Sequence, residues 1–83
     1  MRSLIKNQIL LSDTFVGAKV KVVSLLCKGL PRRRMMDLGL IPDAVIEVMR
    51  KSPLGDPVAY RIRGAQIALR EEESKQIVVE IIE

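Results

Sequence analysis

The chain has 83 residues, of which 48% are hydrophobic and only 2% aromatic, and its formal charge is +4. This length accommodates one domain with a small core, and the aliphatic, β-branched composition favours a compact sheet. A single cysteine and no histidine exclude an intramolecular disulfide and the sulfur and nitrogen ligand clusters that usually hold zinc or iron. The positive charge permits a nucleic acid, an acidic protein or an anionic membrane as partner and selects none of them.

Targeting and membrane segments are not predicted. The charged start is followed by a short apolar run, residues 9–11, which is too short for the apolar part of a signal peptide. No apolar stretch approaches the roughly 20 residues that span a bilayer. The sequence therefore predicts a cytoplasmic protein without direct membrane insertion.

The first half of the chain begins with residues 1–10, which are predicted to be an N-terminal extension or a first strand, and residues 11–83 are predicted to form one barrel domain. Ser12 or Asp13 is expected to cap a short helical turn. The alternation of lysine and valine over residues 19–22 is typical of a half-buried strand. Its phase is disturbed over residues 23–26, which predicts a bulge or burial on both faces.

A short helix is predicted between Pro31 and Gly39. Proline suits the start of a helix, and glycine suits the left-handed position that ends one. Met35 and Leu38 are three residues apart, so both are expected to tie the helix to the core, with Leu40 folding back behind the glycine. The helix is therefore predicted to lie on the barrel as a lid.

The remaining strands are predicted in residues 44–50, 58–63, 66–70 and 76–82, where apolar residues alternate with polar ones. In the last of these, Ile77, Val79 and Ile81 are expected to face inward. Residues 71–74 interrupt the pattern. About five short strands and one short α-helix predict a mainly β protein that forms a small barrel.

Catalytic and metal-binding residues are not found in the sequence. The serines have no histidine base, Cys27 has no second thiol, and the glycines are scattered rather than gathered in a phosphate-binding loop. The acidic run at residues 71–73 lies on a turn, where consecutive carboxylates do not converge on one ion, and Arg70 and Lys75 flank it. We therefore predict that the protein is not an enzyme and has no metal site and no cofactor, with Cys27 a small buried residue at a strand end.

The densest positive charge is the run Arg32, Arg33 and Arg34, which fans around the predicted helix. It is either a solvated face that keeps the protein soluble or a docking patch for an acidic partner, since arginine pairs with carboxylates in two hydrogen bonds. Nucleic acid is not expected as a partner. Phe15 and Tyr60 are too few for base stacking and are expected to be buried, and the one helix is short and held by the core.

A second specialised segment is residues 53–57, Pro-Leu-Gly-Asp-Pro. The two prolines fix two φ angles and the glycine relieves the turn between them, which predicts a rigid protruding loop. A rigid loop loses little entropy on binding, so we interpret it as a recognition element, although it could simply join two strands.

Three segments together resemble the FeoA family. They are residues 33–42, which read Arg-Arg-Met-Met-Asp-Leu-Gly-Leu-Ile-Pro; residues 52–57, which read Ser-Pro-Leu-Gly-Asp-Pro; and residues 63–73 with the closing apolar run at 77–79. The resemblance runs in order from about Leu11 to Ile82. Asp43 departs from it, because the family usually has glycine there. The turn at Asp43 is therefore formed either without positive φ or with an aspartate that adopts it.

The resemblance implies an SH3-like β-barrel and a non-enzymatic adaptor of bacterial ferrous iron uptake. Its implied partner is a FeoB-type membrane transporter whose cytoplasmic part carries a GTPase domain, which the adaptor would bind and modulate. The surface expected to bind this partner consists of Arg32, Arg33, Arg34, Pro53, Leu54, Gly55, Asp56 and Pro57. Two alternatives remain: a regulatory SH3-like module of the iron-dependent repressor type, acting on a protein or on DNA, and a weak homo-oligomer that pairs through exposed strand edges.

Overall fold

The computed structural model describes residues 8–82. Six strands, two α-helices and one 3₁₀ turn make up this part of the chain. The strands are β1 (Gln8–Leu10), β2 (Lys19–Leu25), β3 (Val45–Lys51), β4 (Val58–Ile62), β5 (Ala65–Leu69) and β6 (Ile77–Ile81). The helices are α1 (Gly29–Asp37) and α2 (Glu71–Ser74), and the 3₁₀ turn is Leu11–Asp13.

The strands form one antiparallel sheet in the order β1-β6-β2-β3-β4-β5. The mainly β architecture predicted from the sequence is confirmed, with one strand more than the five expected. The additional strand is β1, which pairs with β6 so that Gln8 lies opposite Glu80 and Leu10 opposite Val78. Residues 1–7 of the predicted extension lie outside the described residues.

The core is filled by aliphatic side chains around one tyrosine. The largest fully buried side chains are Tyr60, Leu11, Leu40, Ile46, Ile62, Ile77, Val20, Val22 and Val79. The disturbed phase after Val22 is a register shift in the β2–β6 ladder between Val22 and Ser24, which confirms the predicted bulge. Ile81, which was expected to face inward, is 37% exposed because it is the last residue of its strand.

Helix α1 starts two residues before the predicted proline and ends as predicted. Beyond its last residue, Gly39 has φ +98° and donates its N–H to the Met36 carbonyl, while Leu40 donates to the Met35 carbonyl at 3.0 Å. This pair of bonds is a Schellman motif. It turns the chain so that Leu40 enters the core, where it is fully buried.

The turn at Asp43 resolves the alternative left by the sequence. Asp43 has φ +74°, so an aspartate takes the left-handed conformation in place of a glycine. Its N–H donates to the Val22 carbonyl, and the N–H of Val22 donates to the Ala44 carbonyl, both at 2.8 Å. These two bonds hold the turn against β2 and offset the cost of the conformation.

One further expectation about burial and one about regular structure differ from what the structure shows. Phe15 is 58% exposed, although it was expected to be buried: Leu11, Thr14 and Ala18 fill the core at this point, and the turn between them leaves Phe15 outside. Residues 71–74, read as an interruption, form α2. Tyr60 is buried as expected.

Candidate docking surface

Helix α1 presents the predicted basic run to solvent. Arg32, Arg33 and Arg34 are all exposed, and Met35 is the buried residue of the helix. Arg32 Nη1 donates to the Leu25 carbonyl at 3.3 Å and so tethers the helix to the end of β2. Within residues 8–82, Arg33 and Arg34 make no ion pair. These two cations are therefore the ones available to a partner.

Large apolar side chains of α1 and its C-terminal turn are also exposed. The exposed fractions are 75% for Leu30, 42% for Met36 and 44% for Leu38. The expectation that Leu38 ties the helix to the core is therefore wrong. Only the Met35 face is covered by the barrel, because the chain turns at Gly39 and places Leu40, not Leu38, in the core.

A cavity of about 600 Å³ separates α1 from α2. Its apolar lining is Cys27, Leu30, Pro31, Met35 and Leu38, with Arg34 on the α1 side and Glu72, Glu73 and Gln76 on the α2 side. Cys27 is half-buried there, and its Sγ lies 3.5 Å from Met35 Sδ. The thiol therefore lines this groove rather than being enclosed in the core.

The loop of residues 53–57 is fixed to α2 by Asp56. Asp56 Oδ1 accepts a hydrogen bond from the Glu71 N–H at 2.9 Å, and Oδ2 lies 3.6 Å from Arg70 Nη1. A carboxylate at the first N–H of a helix satisfies a donor that the helix itself leaves unpaired. Asp56 thus has a structural role, while Leu54 at the tip is 95% exposed.

Substitution Asp56→Ala is expected to lower the free energy of unfolding by about 1 kcal/mol, the usual value of an N-terminal helix cap. The exposed ion pair to Arg70 adds little, because solvent screens it. Urea unfolding of Asp56→Ala and of Asp56→Asn measures this, since asparagine keeps the acceptor oxygen and is expected to retain most of the stability. Equal losses in both variants would contradict the capping role.

Helix α1 faces α2 across the groove, and α2 contacts the 53–57 loop; we call α1, the groove, α2 and this loop together the docking surface. The two segments that the sequence singled out separately lie at opposite ends of β3 and are connected through α2. The sequence analysis missed Leu30, Met36 and Leu38 as exposed members. The sequence of α1 does indicate that some of its apolar side chains are exposed. They are spread around more of the helix circumference than one packed face can cover.

Tyr60 lies below the loop, and its pKa is raised above the ordinary value of 10.0. The main cause is burial, which disfavours the phenolate; the negative charge of Asp56 acts in the same direction, and a hydrogen bond with the Ser74 side chain opposes it. The phenol is therefore neutral in the folded protein at physiological pH.

This raised pKa predicts that stability falls in alkaline solution. Above about pH 10 the unfolded chain loses the Tyr60 proton while the folded protein keeps it, so the folded state binds more protons and each rise in pH favours unfolding. In urea unfolding between about pH 9 and about pH 11, wild type is expected to lose more stability than Tyr60→Phe. Parallel curves for the two proteins would contradict the assigned shift.

Within residues 8–82, no three histidine, cysteine, aspartate or glutamate side chains come together in a way that could hold a metal ion. In the same part of the chain, no helix has the length and apolar character needed to cross a membrane. The docking surface presents the guanidinium groups of Arg33 and Arg34, exposed apolar side chains and the tip of the 53–57 loop.

Comparison with known proteins identifies similar sequences. A family model described as the FeoA domain matches residues 9–81. A curated relative, the Fe(2+) transport protein A/Fe(2+) transporter FeoB fusion protein of Porphyromonas gingivalis, is 35% identical over 72 residues. The match covers 87% of this chain and 8% of the fusion protein, so the chain spans only a small part of that relative.

Solved structures are similar over most of the chain. The NMR structure of an FeoA-like protein from Clostridium acetobutylicum has 35% identity and a TM-score of 0.86, covering 95% of this chain and 92% of that one. The crystal structure of Stenotrophomonas maltophilia FeoA complexed with zinc, described as a prokaryotic SH3 domain protein, has 25% identity and a TM-score of 0.77, covering 87% and 89%. The SH3-like fold predicted from the sequence is thereby confirmed.

A more distant likeness bears on the fold only. A manganese-dependent transcriptional repressor superposes on 90% of this chain with a TM-score of 0.81, but the identity is 16% and the match covers 42% of the repressor. Such a likeness is evidence for a shared fold and is not evidence about activity.

Proposed function

Because the chain belongs to the FeoA family, we propose that it is a non-enzymatic, cytoplasmic accessory protein of bacterial ferrous iron uptake. Its proposed partner is the cytoplasmic part of a FeoB-type GTPase transporter, which it binds and modulates. The observation that carries the proposal is the surface of α1, where Arg33 and Arg34, which form no ion pair within residues 8–82, lie among exposed apolar side chains. The Porphyromonas gingivalis relative supports the choice of partner, since its name joins the two proteins in one fusion.

The composition of this surface favours a protein partner. Leu30, Met36 and Leu38 provide apolar area that is removed from water on binding, and arginine is enriched at protein interfaces because it combines stacking with paired hydrogen bonds. The partner's complementary surface is expected to be apolar with carboxylates at its margin. Since the guanidinium groups are exposed, the association is expected to weaken as the salt concentration rises.

The 53–57 loop supplies a second contact, which is connected to α1 through α2. Asp56 holds it against α2, so Leu54 is presented without a large loss of entropy on binding. Pro53, Gly55 and Pro57 shape the loop, with the Gly55 N–H donating to the Ser52 carbonyl at 2.8 Å. We therefore assign binding to Leu54 and a shaping role to the residues around it.

The experiment that tests the proposal is an NMR titration of the ¹⁵N-labelled protein with the cytoplasmic part of its cognate FeoB-type transporter. It is run at physiological salt, with and without guanine nucleotide. Shifts confined to α1, α2 and the 53–57 loop are expected. Shifts centred on residues outside these three elements would contradict the proposed surface. The absence of shifts at a saturating concentration of the transporter fragment would contradict it as well.

Substitution Arg33→Glu is expected to weaken transporter binding about tenfold, equivalent to about 1.4 kcal/mol. The matched control is Arg61→Glu, which reverses an exposed arginine on β4 that is paired at 3.7 Å with Glu47 and lies outside the docking surface. Isothermal titration at low and high salt measures both variants. Equal losses in the two would show that net charge, not the position of Arg33, determines binding.

The sequence leaves a regulatory module of the iron-dependent repressor type as an alternative, and the fold shared with a repressor does not decide between the two functions. A regulatory module of that kind would act on a protein or on DNA. Fluorescence anisotropy with a labelled DNA duplex separates the two functions: no salt-resistant DNA binding is expected from a transporter accessory, whereas specific DNA binding together with a silent transporter titration would favour the regulatory module.

A further inference from the structure

Within residues 8–82, one edge of strand β5 pairs with no other strand. It is the last strand of the sheet and pairs with β4. Its sequence, Ala-Gln-Ile-Ala-Leu, contains no charge and no proline, and its first four side chains are exposed or half-buried. Proteins usually protect such edges with charged residues, prolines or a covering element, so an uncharged edge is available for pairing with another strand.

The hairpin fixes which backbone groups point outward. Arg63 and Gly64 both have positive φ, as in a two-residue type I′ turn, so Ile62 and Ala65 exchange hydrogen bonds directly. By the alternation of an antiparallel ladder, the N–H and C=O groups of Gln66 and Ala68 point away from the sheet. Within residues 8–82 they have no backbone partner on that side.

A shallow cavity of about 390 Å³ lies over the outer face beside this edge. Its floor includes Ala59 and Ala68, which are paired across β4 and β5 and whose small side chains leave the space open. Arg50 and Lys51 line one side, and Pro53 and Pro57, at the base of the 53–57 loop, border the cavity as well. The cavity therefore offers two cations to a ligand.

Arginines and lysines outnumber carboxylates over β3, β4 and β5. The glutamates of 71–73 follow in α2, and residues 45–70 contain five arginines and lysines and two carboxylates. Both carboxylates are engaged, Glu47 with Arg61 and Asp56 with Arg70. The other three cations, Arg50, Lys51 and Arg63, form no ion pair with any residue of 8–82.

We propose that the β5 edge binds an acidic, extended segment of a partner protein, which adds to the sheet as a strand and places a carboxylate in the cavity over Ala59 and Ala68. The outward groups of Gln66 and Ala68 supply the backbone hydrogen bonds, and Arg50 with Lys51 supplies the preference for acidic side chains. The inference does not rest on the proposed function, because it invokes neither α1 nor the transporter.

A second copy of the chain fits this edge less well. Because the outward backbone groups belong to Gln66 and Ala68, antiparallel pairing of two β5 strands must set these residues of one copy against the same residues of the other. The β5 strand of a second copy would then bring the side chains of Gln66 and Ala68, and no carboxylate, to the outer face beside Arg50 and Lys51. An acidic segment instead places a carboxylate there.

The test uses the full chain and a blocked heptapeptide that alternates glutamate and valine between terminal threonines, with a matched peptide carrying lysine in place of glutamate. NMR is expected to show shifts at residues 65–69 with the acidic peptide, slower amide exchange at Gln66 and Ala68, and at least tenfold weaker binding of the lysine peptide. Equal binding of both peptides, shifts centred on α1, or unchanged exchange at the two amides would each overturn the proposal.

Two substitutions at one position test the edge directly. Ala68→Pro removes the outward N–H, and Ala68→Glu keeps it but places a like charge in the cavity; each is expected to weaken the acidic peptide at least tenfold. Ser24→Glu, which adds the same charge at an exposed position of β2, is the control and is expected to leave peptide binding unchanged. Unaltered binding in Ala68→Glu, or a wild-type dimer that Ala68→Glu dissociates in sedimentation experiments, would overturn the assignment of an acidic partner segment.

Discussion

Replacing Leu40 with alanine is expected to lower the free energy of unfolding by about 2–5 kcal/mol, the range for removing a fully buried leucine side chain. Leu40 is 0% exposed, and its backbone N–H is bonded to the Met35 carbonyl at 3.0 Å. That bond fixes the side chain beneath α1, so the surrounding chain cannot collapse into the space that alanine leaves. A domain of this size is marginally stable, with about 5–15 kcal/mol in total, so the loss is a large fraction.

The matched control is the same change at Leu54, which is 95% exposed. Leu54→Ala is expected to alter stability by no more than about 0.5 kcal/mol while weakening transporter binding. Urea unfolding of both variants measures the effect on stability, with the dependence of the unfolding free energy on urea concentration compared with that of wild type. Titration with the transporter measures the effect on binding. A similar loss of stability in the two variants would show that burial of Leu40 does not explain its contribution.

The regular parts of the fold could be predicted because single residues determine them locally. Alternation of valine and lysine located β2, and its disturbed phase located the bulge after Val22. Gly39 located the end of α1, because a glycine after a short apolar stretch is the usual requirement of a Schellman motif. In each case, a few neighbouring residues are enough to determine where the strand, the bulge or the helix end lies.

The predictions that failed concern which side of an element the rest of the chain covers. Leu38 shares a helical face with Met35 by spacing, yet only Met35 is buried, because the turn at Gly39 brings Leu40 into the core in place of Leu38. Phe15 is exposed because neighbouring core residues already fill the interior at that point. Tertiary packing decides whether each of these two side chains is buried, and the periodicity of the local sequence carries no information about that packing.

Sequence and structure give different roles to the 53–57 loop for a related reason. The sequence shows a stiff turn but not its contact with α2, since Asp56 and Glu71 are 15 residues apart in the chain. Once that contact is known, the loop divides into an anchored residue and an exposed tip. The same contact brings the loop beside α2, which faces α1 across the groove and so connects the two segments.

Substitution Gly39→Ala is expected to cost about 2 kcal/mol of stability and also to weaken transporter binding. Gly39 has φ +98°, and a non-glycine residue in the left-handed region costs about 1–2 kcal/mol. An added Cβ would lie 3.4 Å from Ile62 Cγ2, so the turn cannot shift freely inward. If the chain leaves this conformation to relieve the strain, the Schellman bonds break and Leu38 moves relative to Arg34, which changes the docking surface itself.

The control for this prediction is Gly17→Ala, since Gly17 has a similar φ of +96° but open space around the position of an added Cβ. Both variants are expected to lose stability in urea unfolding, because both carry the same backbone strain. Only Gly39→Ala is expected to bind the transporter more weakly, because only Gly39 connects the end of α1 to the core. Loss of binding in both variants would mean that reduced stability, and not the geometry of the helix end, governs recognition at this surface.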